Sequence, residues 1–317
     1  SEWFDKPPGQ TTQLITQSSL YSFDWSTYGS LSTDPTGVIR CMIENANGDL
    51  LIGTDAGGTI WSSADDGANW SIEQSTGLVG SVNDFCIDEN GNLYAAISGD
   101  TSARGIWKST DDGATWTRVH DPSAGNGFWG IEYNPRTHWI VGVGHQDASV
   151  TGHTGRIASS NDYGSSWNTS IHWGAERFIS VITTWPDNRW IVLAARDPAF
   201  ILSSKTDDPS AAVGAWNTQA LPILVGAGTK LVWLEHSPTH FPDGGNAEYE
   251  ALAITWDAAN NLNRIYACRF VDWDVPYDYP YGDWTRWTQR TAFGTSRLFS
   301  VFNDQHHRIW AGGANVI

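Results

Sequence analysis

Apolar and polar residues alternate along most of the chain in short runs that turn-forming residues separate. The runs VIRCMI (38–43) and LLIGT (50–54) flank the turn ENANGD, and FCID and LYAAI flank ENGN. Alternation with a period of two predicts strands, and Asn-Gly turns between such runs predict antiparallel hairpins. No long stretch has the i, i+3, i+4, i+7 spacing of an amphipathic helix. The pattern therefore predicts an all-β protein.

A nine-residue phrase, called the box below, recurs three times within this pattern. It reads SSADDGANW at 62–70, KSTDDGATW at 108–116 and SSNDYGSSW at 159–167, and an Ile stands ten residues before each closing Trp. Each copy follows a predicted hairpin, so each repeat reads as four antiparallel strands, A to D, with the box as the C–D turn. Spacing of about 50 residues is typical of a repeat architecture.

The termini predict that these repeats close into a ring. Two weaker copies follow the third, and the chain then ends after two strand-like runs, RLFSVF and RIWAGGA. LITQSSLYSFDW at 14–25 has Ile15 ten residues before Trp25, so it can supply strands C and D to this last unit. Sealed four-stranded units describe a β-propeller, which leaves only short strand edges. We predict one domain, 1–317, with six blades at 37–79, 80–121, 125–173, 175–222, 226–292, and 294–317 completed by 10–30.

The pattern Ser-x-Asp-x-Gly-x-x-Trp resembles the Asp-box of the sialidase-like propellers (BNR repeats), and the resemblance extends over nearly the whole chain. The complete copies are Ser63, Asp65, Gly67, Trp70; Ser109, Asp111, Gly113, Trp116; and Ser160, Asp162, Gly164, Trp167. We expect the Asp to accept backbone N–H groups across its own turn, the Gly to adopt a positive φ and the Trp to pack on the hairpin. We interpret the boxes as turn architecture rather than as metal-binding or catalytic carboxylates.

Charge and cysteine content narrow the possible partners. The net charge of −17 makes nucleic acid and anionic lipid poor partners. The sequence has no run of 18 apolar residues, so we expect no membrane insertion. Cys41, Cys86 and Cys268 each lie in an apolar run, which predicts buried thiols, with a Cys41–Cys86 bridge as the alternative. No Cys/His spacing suits zinc, so we expect neither a metal nor another cofactor.

Ligand-binding candidates lie in the B–C and D–A connections, which share one face of a propeller. They are Trp129, His145, Asp147, Arg196 and Trp256. Planar hydrogen-bonding groups beside an aromatic surface suit a glycan. Ordinary polar loops are the alternative interpretation.

The sialidase resemblance implies a catalytic hypothesis, in which three Arg hold a substrate carboxylate, a Tyr attacks and an Asp acts as acid/base. VIRCMIENANGDLLIGTDAG is similar in layout to the family's first blade, with Arg40 in the Arg position and Asp55 near the Asp region. No Tyr occurs in TSRLFSVF, where the nucleophile is expected. A glycosidase pair of Asp55 with Asp197 or Asp257 is the alternative. The candidate catalytic residues are Arg40, Asp55, Arg177, Asp197 and Arg297.

A second candidate surface lies in two long insertions of the fifth unit, 237–250 and 271–284. VDWDVPYDYPYGDW alternates aromatic residues with carboxylates, a composition typical of interaction hot spots. We predict a protein partner or self-association there, with a self-packed loop as the alternative. The predicted interaction patch is Trp273, Tyr277, Tyr279, Tyr281 and Trp284.

Three functions remain open from sequence. The favoured one is glycan recognition, as in a lectin, an adhesin or the receptor-binding component of a surface or viral fibre. The alternatives are a glycoside hydrolase or polysaccharide lyase acting on an extracellular glycan, and a structural scaffold within a larger assembly. We expect a location that is extracellular or on a virion or cell surface.

Overall fold

The computed structural model describes 22 strands, and the residues it describes contain no helix. These residues are 38–55, 57–74, 80–99, 103–122, 125, 127–146, 154–172, 178–183, 188, 190–194, 200–204, 206–210, 216–220, 229–237, 249–257, 260, 262–270, 288–293, 298–303 and 309–313.

Five four-stranded antiparallel sheets follow one another, each built from consecutive strands. The first is β1 (Ile39–Glu44), β2 (Leu50–Thr54), β3 (Ile60–Ser63) and β4 (Ser71–Gln74). The second is β5 (Gly80–Ile87), β6 (Leu93–Gly99), β7 (Gly105–Ser109) and β8 (Thr117–His120). The third is β9 (Phe128–Tyr133), β10 (Ile140–Gln146), β11 (Thr154–Ser160) and β12 (Asn168–His172). The fourth is β13 (Phe178–Thr183), β14 (Trp190–Ala194), β15 (Phe200–Ser204) and β16 (Trp216–Ala220). The fifth is β17 (Thr229–Ser237), β18 (Tyr249–Asp257), β19 (Leu262–Phe270) and β20 (Thr288–Phe293).

A sixth sheet has two described strands, β21 (Leu298–Asn303) and β22 (Ile309–Gly313). The first strands of successive sheets are neighbours from β1 through β5, β9, β13 and β17 to β21, and β21 also contacts β1. The prediction of an all-β chain of four-stranded antiparallel sheets is confirmed, and the arrangement is consistent with a β-propeller. Residues 10–30 lie outside the described residues, so the six-blade count and closure by the N-terminus stay predictions.

Hydrophobic cores lie between successive sheets. In β6, Leu93 and Ala95 pack in one core with Leu51 of the first sheet. The intervening Tyr94 packs in another core with Ile131 of the third sheet. Successive residues of a strand point to opposite sides, so the middle sheets bury both faces. This is why their strands read as apolar on both alternating sets of positions.

One buried carboxylate joins two of the sheets. Asp84, on β5, accepts the backbone N–H of Ile131 at 2.8 Å and therefore joins the second sheet to the third. Cys41 and Cys86 are separate buried thiols, and burial raises the pKa of both well above the usual value. The prediction of buried thiols is thus confirmed for these two, and the alternative of a Cys41–Cys86 bridge is wrong.

A β-bulge interrupts the pairing of the first two strands in all six sheets. In β1, Ile39 pairs with Thr54 and Cys41 with Gly53, so Arg40 is the extra residue. Bulges re-aim the side chain of the extra residue and are frequent beside active sites. The six bulged residues are Arg40, Asn83, Trp129, Ile179, Val232 and Phe299.

Candidate functional site

The three boxes form nearly identical hydrogen-bonded turns. Ser63 Oγ donates to Asp65 Oδ1 at 2.8 Å and accepts the Gly67 N–H at 2.9 Å. Asp65 Oδ1 also accepts the Asn69 N–H at 2.8 Å. The same bonds recur at the same lengths in the second and third boxes. We call the end of the sheets that carries these turns the box face.

These bonds account for the chemistry of the box carboxylates. The side chain four residues after each Asp donates a hydrogen bond to it, and this contact is the largest of those that lower the pKa of Asp65, Asp111 and Asp162. Backbone N–H groups and the box Ser add to the effect. Because the carboxylate oxygens are bonded within their own turn, each Asp has a sufficient structural role.

The box also joins neighbouring sheets, which the sequence does not reveal. The residue after the box Asp has a positive φ in each copy, 58° at Asp112 and 55° at Tyr163. In the second box, the carbonyl of Asp112 accepts a bond from Asn45 of the first sheet at 3.2 Å. In the third, the carbonyl of Tyr163 accepts a bond from Tyr94 of the second sheet at 3.0 Å. The turn thus presents a backbone acceptor to the preceding sheet.

The opposite end of the sheets, which we call the bulge face, carries the bulged residues and the B–C and D–A connections. Here the structure brings Arg40 and Asp55 together. Arg40 Nη2 lies 3.2 Å from Asp55 Oδ2, and the two side chains are 24% and 28% exposed. Asp55 Oδ1 accepts the backbone N–H of Val38 at 2.8 Å. Both carboxylate oxygens are engaged, so Asp55 orients Arg40 and fixes the start of β1.

Trp129 and His145 form the second described feature of the bulge face. Their rings stack with centroids 5.6 Å apart and an interplanar angle of 28°. Trp129 is partly exposed, and its Nε1 has no hydrogen-bond partner among the described residues. His145 is 3% exposed, so it supports the indole from beneath.

The prediction that Trp129, His145 and Trp256 belong to connections is wrong, because all three lie within strands. The ladder between β10 and β11 continues past His145, which pairs with Gly155. Trp256 is paired in β18, directly before the buried Asp257. Strand ladders simply extend further toward this face than turn residues indicate.

Asp257 is bonded within the connection that follows β18. Its Oδ2 accepts the side-chain amide of Asn260 at 2.9 Å, and its Oδ1 accepts the backbone N–H of the same residue at 3.2 Å. Both bonds hold the carboxylate against the connection that follows its own strand. This arrangement favours a structural role for Asp257 over the alternative pairing with Asp55 in hydrolysis.

The remaining predicted site residues lie outside the described residues and stay predictions. They are the catalytic candidates Arg177, Asp197 and Arg297, the ligand-binding candidates Asp147 and Arg196, and the patch Trp273, Tyr277, Tyr279, Tyr281 and Trp284.

Asn83 and Ile179 occupy the same bulge position as Arg40 and Trp129 but were not predicted. Asn83 is buried, and its side-chain amide donates to Ser98 Oγ at 2.8 Å and to the Phe128 carbonyl at 2.9 Å. Five of the six bulged residues stand four residues before the end of their strand, so the bulge keeps nearly the same place in each first strand.

No helix in the described part of the chain is long and apolar enough to cross a membrane. Among the described residues, no group of three or more His, Cys, Asp or Glu side chains is placed to hold a metal ion.

No protein-family model and no curated protein matches the chain. Solved structures do resemble it. A protein of unknown function from Dyadobacter fermentans is 14% identical, with 87% of this chain and 94% of that chain covered and a TM-score of 0.59. A mutant α-L-arabinofuranosidase from Fusarium graminearum, in complex with an iminosugar inhibitor, is 14% identical, with 88% of each chain covered and a TM-score of 0.52. A putative gluconolactonase is 15% identical, with 90% and 91% covered and a TM-score of 0.53.

These neighbours include β-propeller proteins and support that fold for this chain. At such low identity the likeness concerns the fold alone. What each neighbour acts on is a property of that neighbour.

Proposed function

We propose that the protein is a carbohydrate-recognising, six-bladed Asp-box β-propeller that binds a glycan on its bulge face. The observation that carries this proposal is the bulge that recurs in every first strand, four residues before its end in five of the six. The backbone feature is constant, whereas the residue on it changes from Arg40 to Asn83, Trp129 and Ile179. A bulge that recurs in each sheet but carries different side chains suits recognition of a ligand with no matching symmetry.

The chemistry of these positions suits a saccharide. The Arg40–Asp55 pair offers a planar donor beside carboxylate acceptors, and such groups recognise hydroxyl pairs with defined geometry. The partly exposed indole of Trp129 offers an apolar surface, which His145 holds in place. An aromatic surface with a few oriented polar groups is the usual make-up of a small-ligand site.

The same residues favour binding over hydrolysis. A glycosidase needs one carboxyl group that can donate a proton and a second that can attack or activate water. Asp55 is bonded through both oxygens to Arg40 and Val38, and Asp257 is bonded within its own turn. An assay of glycan binding must also detect cleavage of the glycan, because one protein with a similar fold is an arabinofuranosidase.

Closure of the ring is part of this proposal. β21 contacts both β1 and β17, which supports six first strands around one axis. A buried cluster on the first sheet, containing Met42, Trp61 and Trp70, supports a further sheet against that side. A ring would bring all six bulges to the same end of the molecule. We further propose an extracellular or surface location, where such a site would meet glycans.

A polysaccharide depletion screen with product analysis tests the function. The wild-type protein is expected to be retained by some glycans and to leave their length unchanged. Trp129→Ala should reduce that retention at least about tenfold, since one lost stacking contact of about 1.4 kcal/mol has this effect. Tyr163→Ala, which removes an aromatic ring from the box face, should bind like the wild type.

Three results would count against the proposal. If no glycan retained folded wild-type protein, the proposal of glycan binding would be wrong. If Trp129→Ala were retained as well as the wild type, the bulge face would not be the binding site. Shortened saccharides in the product would show that the protein hydrolyses the glycan instead of only binding it.

A further inference from the structure

Four side chains of the box face converge where the second sheet meets the third. Glu89 Oε1 lies 2.8 Å from His138 Nδ1 and accepts a hydrogen bond from the Tyr163 hydroxyl at 2.6 Å. The same nitrogen of His138 lies 3.1 Å from the Tyr133 hydroxyl and 3.5 Å from that of Tyr163. One carboxylate and two phenols thus place three oxygen atoms around one imidazole nitrogen. We call these four residues the tyrosine–histidine cluster.

His138 replaces a glycine of the preceding sheets. The turn between the first two strands contains Gly48 in the first sheet and Gly91 in the second, with φ 89° and 80°, and each donates its N–H to the first residue of its turn. His138 donates in the same way to Asn134 at 2.9 Å and has φ 58°. This conformation is uncommon for residues other than glycine. The third turn thus adopts a less favourable backbone and places an imidazole beside Glu89.

The other three members of the cluster also depart from the repeat. Each occupies a position that carries a different side chain in the preceding sheets. The corresponding residues are Asp66 and Asp112 for Tyr163, Ala46 for Glu89, and Glu44 and Ile87 for Tyr133. The box face is otherwise built from repeated turns, so four changes that meet in space indicate a role specific to this boundary.

Hydrogen bonds within the cluster do not satisfy all of its atoms. A neutral imidazole nitrogen carries either a proton or a free lone pair. If His138 Nδ1 donates to Glu89, the hydroxyl proton of Tyr133 has no acceptor within the part of the chain that the structure describes. If Nδ1 accepts that proton, its lone pair is occupied and it has no proton for Glu89, 2.8 Å away. A bound cation removes this conflict, because carboxylate, imidazole and phenolate can all direct lone pairs at it.

The cluster is not required to join the two sheets. The carbonyl of Tyr163 already accepts bonds from Tyr94 and Lys108 of the second sheet, each at 3.0 Å. At the boundary of the first and second sheets, Asn45 donates to the carbonyl of Asp112. Neutral groups therefore suffice where a joint alone is needed.

The spacing of the four atoms suits one transition-metal ion. Zinc binds protein oxygen and nitrogen at about 2.0–2.2 Å, so ligands at right angles around an ion of this kind lie roughly 3 Å apart. The contacts within the cluster range from 2.6 to 3.5 Å. Glu89 and His138 are 36% and 50% exposed, so an ion can reach them from solvent.

The charge of the ligands favours a trivalent ion. One carboxylate and two phenolates balance the charge of a ferric ion, whereas they exceed that of a divalent ion. Anionic oxygen ligands also suit hard cations, and imidazole suits iron. The net charge of −17 attracts cations to the protein.

We propose that Glu89, Tyr133, His138 and Tyr163 bind a ferric ion on the box face. Binding releases both phenolic protons to solvent and leaves the imidazole proton on Nε2. The inference is independent of the proposed glycan site, which lies at the other end of the sheets. The expectation of no metal from the sequence rests on Cys and His spacing, which takes no account of tyrosine.

The visible spectrum tests the site directly. Ferric nitrilotriacetate is added to the folded protein, and the charge-transfer band from phenolate to iron is recorded. Wild type should develop this band and saturate at one ion per chain. Tyr163→Phe and Tyr133→Phe should each weaken the band and lower the affinity at least about tenfold, because loss of even an outer-shell partner costs a metal site roughly 10- to 100-fold.

Glu73→Gln is the matched control, because it removes an exposed carboxylate from β4 of the first sheet. It should bind iron like the wild type. Tyr163→Phe alone serves if Tyr133→Phe does not fold. The absence of a band in folded wild type, or an unchanged band in the tyrosine variants, would overturn the inference.

Competition and melting provide two further readouts. Zn²⁺ at equal concentration should leave the band in place, and displacement of iron by zinc would overturn the choice of a trivalent ion. Ferric nitrilotriacetate should raise the melting temperature more in wild type than in Tyr163→Phe, and equal rises would contradict the site. Glycan retention is measured without iron, so failure of either proposal leaves the other standing and Tyr163→Ala remains a control for the bulge face.

Discussion

The two ends of the sheets differ in what is repeated. On the box face, both backbone and side chains recur, and Ser63, Ser109 and Ser160 make bonds of the same lengths. On the bulge face the backbone irregularity recurs, but the side chains on it differ, as Arg40 and Trp129 illustrate. Uniform bonding serves a need shared by every repeat, which is to form and join the sheets. Different side chains on the same backbone bulge suit a role that differs from sheet to sheet, such as contact with different parts of a ligand.

Groups at the two faces should lose their contributions to the free energy of unfolding in different pH ranges. Burial, and then the positive charge of Arg156, lowers the pKa of His120 beside the bulge face to about 4. The unfolded chain takes up this proton below about pH 6.5, so the free energy of unfolding falls between pH 6.5 and 4, by up to about 3 kcal/mol. The box carboxylates have lowered pKa values, so their contribution is lost only below about pH 3.8.

Urea unfolding from pH 7 to 3 measures both windows. His120→Gln should flatten the profile between pH 6.5 and 4 and leave the loss below pH 3.8 unchanged. Coincident profiles for the variant and wild type would show that His120 titrates normally in the folded protein.

A glycine substitution on each face compares the tolerance of the two ends. Gly113 in the second box has φ 103°, and a Cβ there would lie 3.2 Å from Leu51 of the first sheet. Gly57 on the bulge face has φ 66° and nothing within 4 Å of such a Cβ. Gly113→Ala should destabilise by about 2 kcal/mol or more and Gly57→Ala by about 1 kcal/mol. Equal losses in chemical denaturation would mean that the contact with Leu51 is readily relieved.

Loss of the Arg40–Asp55 pair should affect ligand binding more than stability. The side chains are partly exposed, so Asp55→Asn should change the free energy of unfolding by less than about 1 kcal/mol. Retention of the glycan found in the depletion screen should fall about tenfold, because Arg40 loses its charged partner. Unchanged retention would assign Asp55 to the support of β1 alone.

The smallest effect is expected for an exposed polar contact between Glu89 and His138 on the box face. Glu89 Oε1 lies 2.8 Å from His138 Nδ1, and these side chains are 36% and 50% exposed. Glu89→Gln should lower stability by about 0.5 kcal/mol at pH 7 and leave glycan retention unaltered. A change in retention would break the assignment of recognition to the bulge face.

Much of the secondary structure could be predicted from the chain, because strands and turns depend on short-range chemistry. VIRCMI covers all of β1 except Glu44, LLIGT is β2, and each box runs from the end of the third strand through the turn toward the fourth, as the patterns predict. The site was harder to predict. Arg40 and Asp55 were expected on one face and do form a pair, but Trp129 and His145 were placed in connections that are in fact strands.

The sequence by itself determined the all-β character and the internal bonding of each box, since Ser63, Asp65 and Asn69 interact within seven residues whatever surrounds them. Only the tertiary structure decided which residues meet across sheets. The bond from Asn45 to the Asp112 carbonyl and the Trp129–His145 stack depend on strand register and on the packing of one sheet against the next. A shift of one residue in register would turn Trp129 and His145 to the opposite sides of their strands.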